Sequence, residues 1–260
     1  MKYPARIPLH AGGIRSQAVQ GRLPGADAVA YRLFLSALEP MDIGGRLAKG
    51  RKYALSGQVL SISFPSGRPG RVEATVLGTR SEPYRVSVVF RRPRAAAAKR
   101  IVESILSDPA AVAMLFADAF PMSAQEAFRK EGCDLFPGGK LPSGGYDTTV
   151  SCTCPDWANP CKHSLAVLHL LAEEAARRPL SLLEWRGVDT RRIVPEDAES
   201  RLRRAVPSHV AIRPVSFWRG AKASVPAIAN IVERASAKAR HVLEANFRTK
   251  SKRYVDEKIG

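Results

Sequence analysis

The stretch from residue 148 to residue 171, TTVSCTCPDWANPCKHSLAVLHLL, holds three of the four cysteines of this 260-residue chain. Within it, Cys152, Cys154, Cys161 and His163 follow the spacing C-x-C-x6-C-x-H. Cysteine sulfur and histidine nitrogen are the donors that Zn²⁺ binds in structural sites, four at a time and at tetrahedral corners. The stretch therefore predicts one structural zinc ion held by these four side chains.

Two short pairs supply the four ligands. In an extended segment alternate side chains share a face, so Cys152 and Cys154 are predicted to point the same way. Residues 155–160 contain Pro, Asp and Asn and favour a turn. The apolar spacing that follows predicts a largely buried helix from His163 to Arg178. We therefore expect the ligands at the end of a strand and at the start of a helix.

Two other interpretations of the cysteines are a disulfide and a C-x-C redox pair. A disulfide leaves His163 without a role, and the N-terminus lacks the apolar stretch of a signal peptide that would lead to an oxidising compartment. Cys133 stands upstream of the quoted stretch, and it is interpreted either as a small buried apolar residue or as a fifth candidate ligand.

The pattern also resembles a known family. C-x-C-x6-C-x-H followed by an apolar helix, with Pro155, Asp156, Trp157, Pro160 and Lys162 in the intervening places, resembles a SWIM zinc finger. The segment from Arg46 to Phe90 resembles the N-terminal part of bacterial SWIM zinc finger proteins in Leu47, Gly50, Arg51, Tyr53, Gly57, Val59, Gly78, Pro83 and Tyr84. The resemblance covers roughly residues 30–190. It implies a factor that binds nucleic acid or protein, often encoded beside a Swi/Snf-type helicase-like ATPase.

The periodicity upstream of this finger predicts a small sheet with helices around it. Alternation of apolar and polar residues predicts a three-stranded antiparallel meander over residues 58–64, 71–77 and 84–90, the first strand presenting Leu60, Ile62 and Phe64 on its apolar face. Helices are predicted over residues 28–38, 45–55, 95–106 and 109–116, and a further helix is predicted to begin at a capping box, Ser123 to Glu126.

The predicted fold class is therefore α+β. A small antiparallel β-meander packed with helices is followed by a helical segment, the strand–turn–helix finger and a helical, basic C-terminal extension. Four segments are expected: an extended N-terminal arm 1–28, an α+β domain 29–145, the zinc finger 146–190 and the extension 191–260. An apolar stripe over residues 226–247 fits either a core face or a partner-binding helix.

The net charge of +17 is unevenly distributed, because residues 105–190 carry an excess of acidic side chains while the segments on both sides are basic. Basic surfaces bind polyanions by neutralising phosphates and releasing counterions. We therefore predict contacts with nucleic acid, DNA rather than RNA, outside the finger, at Arg51, Lys52, Arg71, Arg85, Arg91, Arg92, Arg94, Arg248, Lys250, Lys252 and Arg253.

No Walker loop, nucleophile elbow or paired-carboxylate motif occurs in the sequence, and four protein ligands would close a zinc site to water. The expected function is that of a non-enzymatic accessory protein in a nucleic-acid-processing complex. The alternative is a purely protein–protein adaptor of a helicase-like ATPase or another nucleic-acid enzyme. We expect a cytoplasmic location, including the nucleoid, with neither a membrane nor a small-molecule substrate as partner.

Overall fold

The computed structural model describes residues 12–18, 28–42 and 44–193. The apolar stripe 226–247 lies outside the described residues. So do four of the predicted nucleic-acid contacts, namely Arg248, Lys250, Lys252 and Arg253.

Two helices come before the sheet, as the sequence predicts. Helix α1 spans Ala28–Leu38 and helix α2 spans Arg46–Leu55, with a 3-10 turn Glu39–Met41 after α1. Gly57 follows α2 with a φ of 73°, a left-handed conformation that favours glycine, and the chain then enters the sheet.

The sheet has four antiparallel strands in the order β1-β2-β3-β4. The predicted meander is confirmed as β1 Val59–Ser63, β2 Arg71–Val76 and β3 Tyr84–Phe90. A fourth strand, β4 Thr148–Cys152, comes from the finger and pairs with β3. The sheet therefore joins the meander to the finger, and the units expected at 29–145 and 146–190 share it.

The prediction of which β1 residues form its apolar face is wrong in part. The register slips between Val59 and Ser61, so Val59 is buried opposite Val76. Ile62 pairs with buried Ala74, whereas Leu60 and Phe64 are exposed. A β-bulge inserts an extra residue and breaks the strict two-residue alternation on which the prediction depended.

Three helices lie between β3 and β4: α3 Ala95–Leu106, α4 Pro109–Phe116 and α5 Met122–Lys130. The first two have the predicted bounds. The predicted capping box is wrong, because α5 begins at Met122 and Ser123 lies inside its first turn. The Ser123 hydroxyl instead donates to the Asp108 carboxylate, which also caps α4 by accepting from Ala110 and Ala111.

Helix α6, Lys162–Arg177, lies at the centre of the fold. It packs against α1, α2 and the sheet, and most of its side chains are buried, as the sequence predicts for residues 163–178. Helix α7, Pro179–Trp185, follows it. One hydrophobic core contains Val72 and Val88 of the sheet together with Leu165 and Leu168 of α6.

Among the described residues, no helix is both long enough and apolar enough to span a membrane.

The described part of the predicted N-terminal arm, residues 12–18, packs against the chain's own core. Ile14 donates its backbone N–H to Val59 and forms a bridge with β1. The Ser16 hydroxyl and the Gln17 backbone N–H both donate to the carboxylate of Glu173, a buried residue of α6. This segment therefore covers the outer edge of β1 and gives a buried acidic group its hydrogen bonds.

Candidate metal centre

The four predicted ligands come together where β4, the finger turn and α6 meet. Cys152 is the last residue of β4, Cys161 is the N-cap residue of α6, and His163 is in the first turn of that helix. One ligand atom from each of Cys152, Cys154, Cys161 and His163 lies within 4.8 Å of the others. This is the arrangement that the sequence predicts, with two ligands from the strand side and two from the helix side.

The cluster fits a zinc ion in its donor atoms and in their spacing. His163 Nδ1 lies 3.8 Å from Cys161 Sγ and 3.9 Å from Cys152 Sγ. Metal–sulfur and metal–nitrogen bonds of about 2.0 to 2.3 Å place tetrahedral ligands roughly 3.5 to 3.8 Å apart. The nitrogen that faces the sulfurs is thus Nδ1, and His163 would bind the ion through it. With four protein donors the site is closed to water, which is typical of a structural ion.

Close packing and burial also shift the pKa values of the three thiols. A hydrogen bond from Cys152 lowers the pKa of Cys161, and the same hydrogen bond raises the pKa of Cys152. Burial raises the pKa of Cys154. Close, partly buried thiolates repel one another unless a cation or a proton lies between them, so these cysteines favour a divalent cation as their common partner.

Two tyrosines enclose the His163 imidazole. The Tyr53 ring of α2 meets it edge-on at 5.2 Å, and the Tyr84 ring of β3 lies at 4.7 Å. Gly78 makes room for this packing, because a Cβ there would lie 2.5 Å from the Tyr84 ring and 3.1 Å from His163 Nε2. Burial raises the pKa of Tyr53 to about 12, so this ring is neutral beside the ligand. These contacts orient the imidazole toward the cysteines.

The finger turn is attached to α2 by an ion pair. Arg46 donates from Nε and Nη2 to the two carboxylate oxygens of Asp156, at 3.2 and 2.9 Å. Asp156 also accepts from the backbone N–H of Ala158, and Asn159 Nδ2 donates to the Val150 carbonyl of β4. Because both ends of the turn are bonded to neighbouring elements, the spacing between the two ligand pairs is held.

Arg46 was not among the predicted site residues. It lies far from Asp156 in the sequence, so the pair depends on the packing of α2 against α6 and could not be found from local spacing.

The Arg46 guanidinium also lies 4.9 Å from the ring centroid of Trp157, whose side chain is 80% exposed.

Cys133 is not part of the cluster. Its thiol donates to the Glu131 carbonyl at 3.5 Å, and its side chain packs against the hydrophobic core. Burial raises its pKa, which keeps the thiol protonated at neutral pH. Of the two interpretations left open by the sequence, the structure supports the partly buried apolar one.

The seven predicted nucleic-acid contacts within the described residues differ in exposure. Exposed side chains belong to Lys52, Arg85, Arg91, Arg92 and Arg94. Arg71 is half-buried and pairs with Glu73 at 2.8 Å, and Arg51 is half-buried with its Nε enclosed by the fold. The structure therefore places Arg51 and Arg71 less favourably for phosphate contact than the other five.

The comparisons with known proteins agree with this geometry. The model of the SWIM zinc finger family matches residues 146–172, which contain all four ligands. The chain belongs to the bacterial SWIM zinc finger proteins, and Cys152, Cys154, Cys161 and His163 are the ligands of its one structural zinc ion.

The chain is similar to the uncharacterized protein Rv2102 of Mycobacterium tuberculosis (strain ATCC 25618 / H37Rv). The two are 30% identical over 205 residues, which cover 79% of this chain and 70% of the relative. No solved structure matches the chain.

Proposed function

We propose that this protein is a non-enzymatic accessory factor that binds nucleic acid, DNA in preference to RNA, through basic surfaces outside its zinc finger. The finger acts as a folded anchor within a larger nucleic-acid-processing complex. The observation that carries the proposal is the exposed basic segment after β3, which contains Arg91, Arg92 and Arg94.

The backbone of this segment is held firmly by the fold. Arg91 donates its N–H to the Asp147 carbonyl, and its own carbonyl accepts from Arg186, which is fully buried. Within the described part of the chain, no carboxylate lies within ion-pair distance of Arg91, Arg92 or Arg94. A fixed backbone with unpaired exposed guanidinium groups reduces the ordering cost of phosphate binding.

The finger is less suited to attract a polyanion. Three thiolates and one divalent ion give its metal site a formal charge of −1, and Asp156 is already paired with Arg46. Its donors, two of them buried and two half-buried, and the central position of α6 support a role in folding rather than in phosphate contact. The basic residues outside the finger are therefore the better source of affinity.

The proposal is tested with the full, zinc-loaded chain and fluorescently labelled DNA and RNA of equal length. Fluorescence anisotropy at salt concentrations from low to physiological gives the slope of log Kd against log salt. A slope of several units is expected, since each phosphate contact contributes roughly 0.7 to 0.9. If binding is absent at low salt, or does not depend on salt, the proposal is wrong.

A second candidate function, a protein–protein adaptor, is favoured by Trp157. This side chain is 80% exposed at the tip of the finger turn, and Arg46, which is itself paired with Asp156, lies over its ring. Tryptophan is frequent among the residues that dominate binding energy at protein interfaces, and a ring held in place loses little entropy on binding.

The two candidates are separated by affinity purification with and without nuclease. A partner that binds through Trp157 should survive nuclease treatment and be lost with Trp157→Ala. Phe64→Ala is the control, because Phe64 is a half-exposed aromatic residue that follows β1 and stacks on Trp185, away from the finger turn. Loss of every partner after nuclease treatment would leave the adaptor function without support.

A further inference from the structure

A basic groove lies beside the segment just described, between the first turns of α3 and the turn after α7. Its volume is about 500 Å³, and Arg92, Lys99 and Arg192 line it together with one carboxylate, Asp189. We propose that this groove binds the sugar–phosphate backbone of nucleic acid. The inference rests on the proposed function and assigns it a specific site.

The charge of the groove indicates an anionic occupant. Three cations face a single carboxylate, and Asp189 is already engaged because its Oδ1 accepts from the backbone N–H and the Nε of Arg191, the latter at 3.1 Å. Lys99 has an acidic neighbour, Glu103, at 3.9 Å, and both side chains are exposed. An exposed pair of this kind contributes little and exchanges readily for a phosphate.

The Arg92 side chain lies against two glycines before it reaches the groove. It passes directly over Gly187, whose φ of 74° favours glycine. On the other side, its Cγ lies 3.5 Å from where a Cβ of Gly70 would be. The absence of a side chain at both glycines leaves room for the Arg92 side chain, which is exposed at the groove.

The floor of the groove indicates which part of a nucleic acid would lie in it. Pro93, Ala98 and Val102 provide a small apolar surface, and none of the groove residues is aromatic. Bases bind preferentially on aromatic rings, whereas sugar carbons pack on any small apolar surface. The occupant is thus the backbone, and its recognition is independent of base sequence.

The sequence pattern predicts a nucleic-acid contact at Arg92 but none at Lys99 or Arg192. Lys99 lies on α3, which begins shortly after Arg92, and Arg192 is brought to the groove only by the return of the chain after α7. The grouping of these three cations is a property of the fold.

The test uses the full, zinc-loaded chain with Arg92→Gln, Lys99→Gln and Arg192→Gln combined. The control combines Arg32→Gln, Arg129→Gln and Lys130→Gln, which removes the same charge from exposed positions outside the groove. The probes are labelled single- and double-stranded DNA of two unrelated sequences. For the groove variant we expect at least about tenfold weaker binding near physiological salt and a salt slope lower by roughly two to three units. The control should change both quantities much less.

A second variant tests the site without removing an arginine. Ala98→Glu places a carboxylate on the groove floor at a half-buried helix position where glutamate is well tolerated. It should weaken binding to both DNA sequences equally. Unfolding curves like that of the unaltered chain establish that each variant is folded.

The outcomes separate this inference from the proposed function. If the unaltered chain binds DNA with a steep salt slope but the groove variant and the control bind it alike, the groove is not the binding site. The proposed function then stands. Effective displacement of DNA by polyglutamate of equal charge would instead identify an acidic protein segment as the occupant and overturn the groove proposal. If the unaltered chain binds no nucleic acid, both proposals are wrong.

Discussion

Gly50 of α2 lies so close to Leu165 of α6 that a Cβ on the glycine would be 2.6 Å from the leucine Cβ. The same atom would be 3.0 Å from the backbone nitrogen of Ala166. Because backbone cannot move aside cheaply, only glycine allows the two helices this separation. The close approach brings Tyr53 to His163 and Arg46 to Asp156, so it positions the metal centre.

Gly50→Ala should therefore destabilise the fold despite the higher helix propensity of alanine. Propensity alone would stabilise by about 1 kcal/mol, whereas steric overlap in a packed core costs about 1 to 3 kcal/mol. We expect a net loss in urea unfolding, with weaker zinc retention. Lys49→Ala, on the exposed side of the same helix, is the control. A more stable Gly50→Ala protein would contradict the proposed packing constraint.

Zinc removal should destabilise more than the finger. The purified protein should contain one zinc per chain, and Cys161→Ser should lose it, whereas Cys133→Ser should keep it because Cys133 lies outside the cluster. Since β4 pairs with β3 and α6 is central to the core, chelation should lower the melting temperature of the whole described region. A chelated protein in which β1–β3 melt unchanged would show that the finger unfolds as a separate unit.

The ligand set was predictable from sequence because its four members lie within twelve residues, where local spacing alone sets the geometry. The bounds of α1, α3 and α4 were predictable for the same reason, as their signals are local periodicity and proline or turn residues. What the sequence did not predict depends on tertiary contact. The addition of β4 to the meander, the Arg46–Asp156 pair and the grouping of Arg92 with Arg192 all join segments that are distant in the chain.

The burial of Arg186 was also not predictable from the sequence, because it too depends on tertiary contact. Sequence patterns place a single arginine on the surface by default, yet this one is 1% exposed. It pairs with Asp147 at 2.9 Å and donates to the carbonyls of Leu135, Phe136 and Arg91. Only the folded chain brings these acceptors around it, and they compensate for the desolvation of the charge.

Arg186→Met should be strongly destabilising, by about 3 to 5 kcal/mol, because it removes the cation that pairs with the buried Asp147 carboxylate and the donor to three carbonyls. Arg178→Met, which removes an exposed pair with Glu184, should cost about 1 kcal/mol or less and serves as the control. Asp147→Asn in the Arg186→Met background should recover part of the loss. Fully additive losses in this double-mutant cycle would show that the two side chains are not coupled.

His169 should make stability depend on pH. Burial lowers the pKa of His169, and Arg51 lowers it further, while a hydrogen bond with the Leu47 carbonyl and the charge of Glu173 oppose the shift. The unfolded chain takes up a proton on this residue as the pH falls below about 6.5, and the folded chain resists doing so. Stability from this group is therefore complete above about pH 6.5 and is lost as the pH falls toward the lower, folded pKa.

His169→Gln keeps a donor for the Leu47 carbonyl but cannot titrate, so its unfolding free energy should fall less than that of the unaltered protein between pH 7.5 and pH 5.5. Protons also compete with zinc at the cysteines, and for that reason both proteins are measured by urea unfolding with zinc content determined at each pH. The quantity compared is the change with pH, because the substitution also alters packing at every pH. Parallel curves for the two proteins would show that His169 takes up its proton equally in the folded and unfolded chains, and the lowered pKa inferred from its burial would then be wrong.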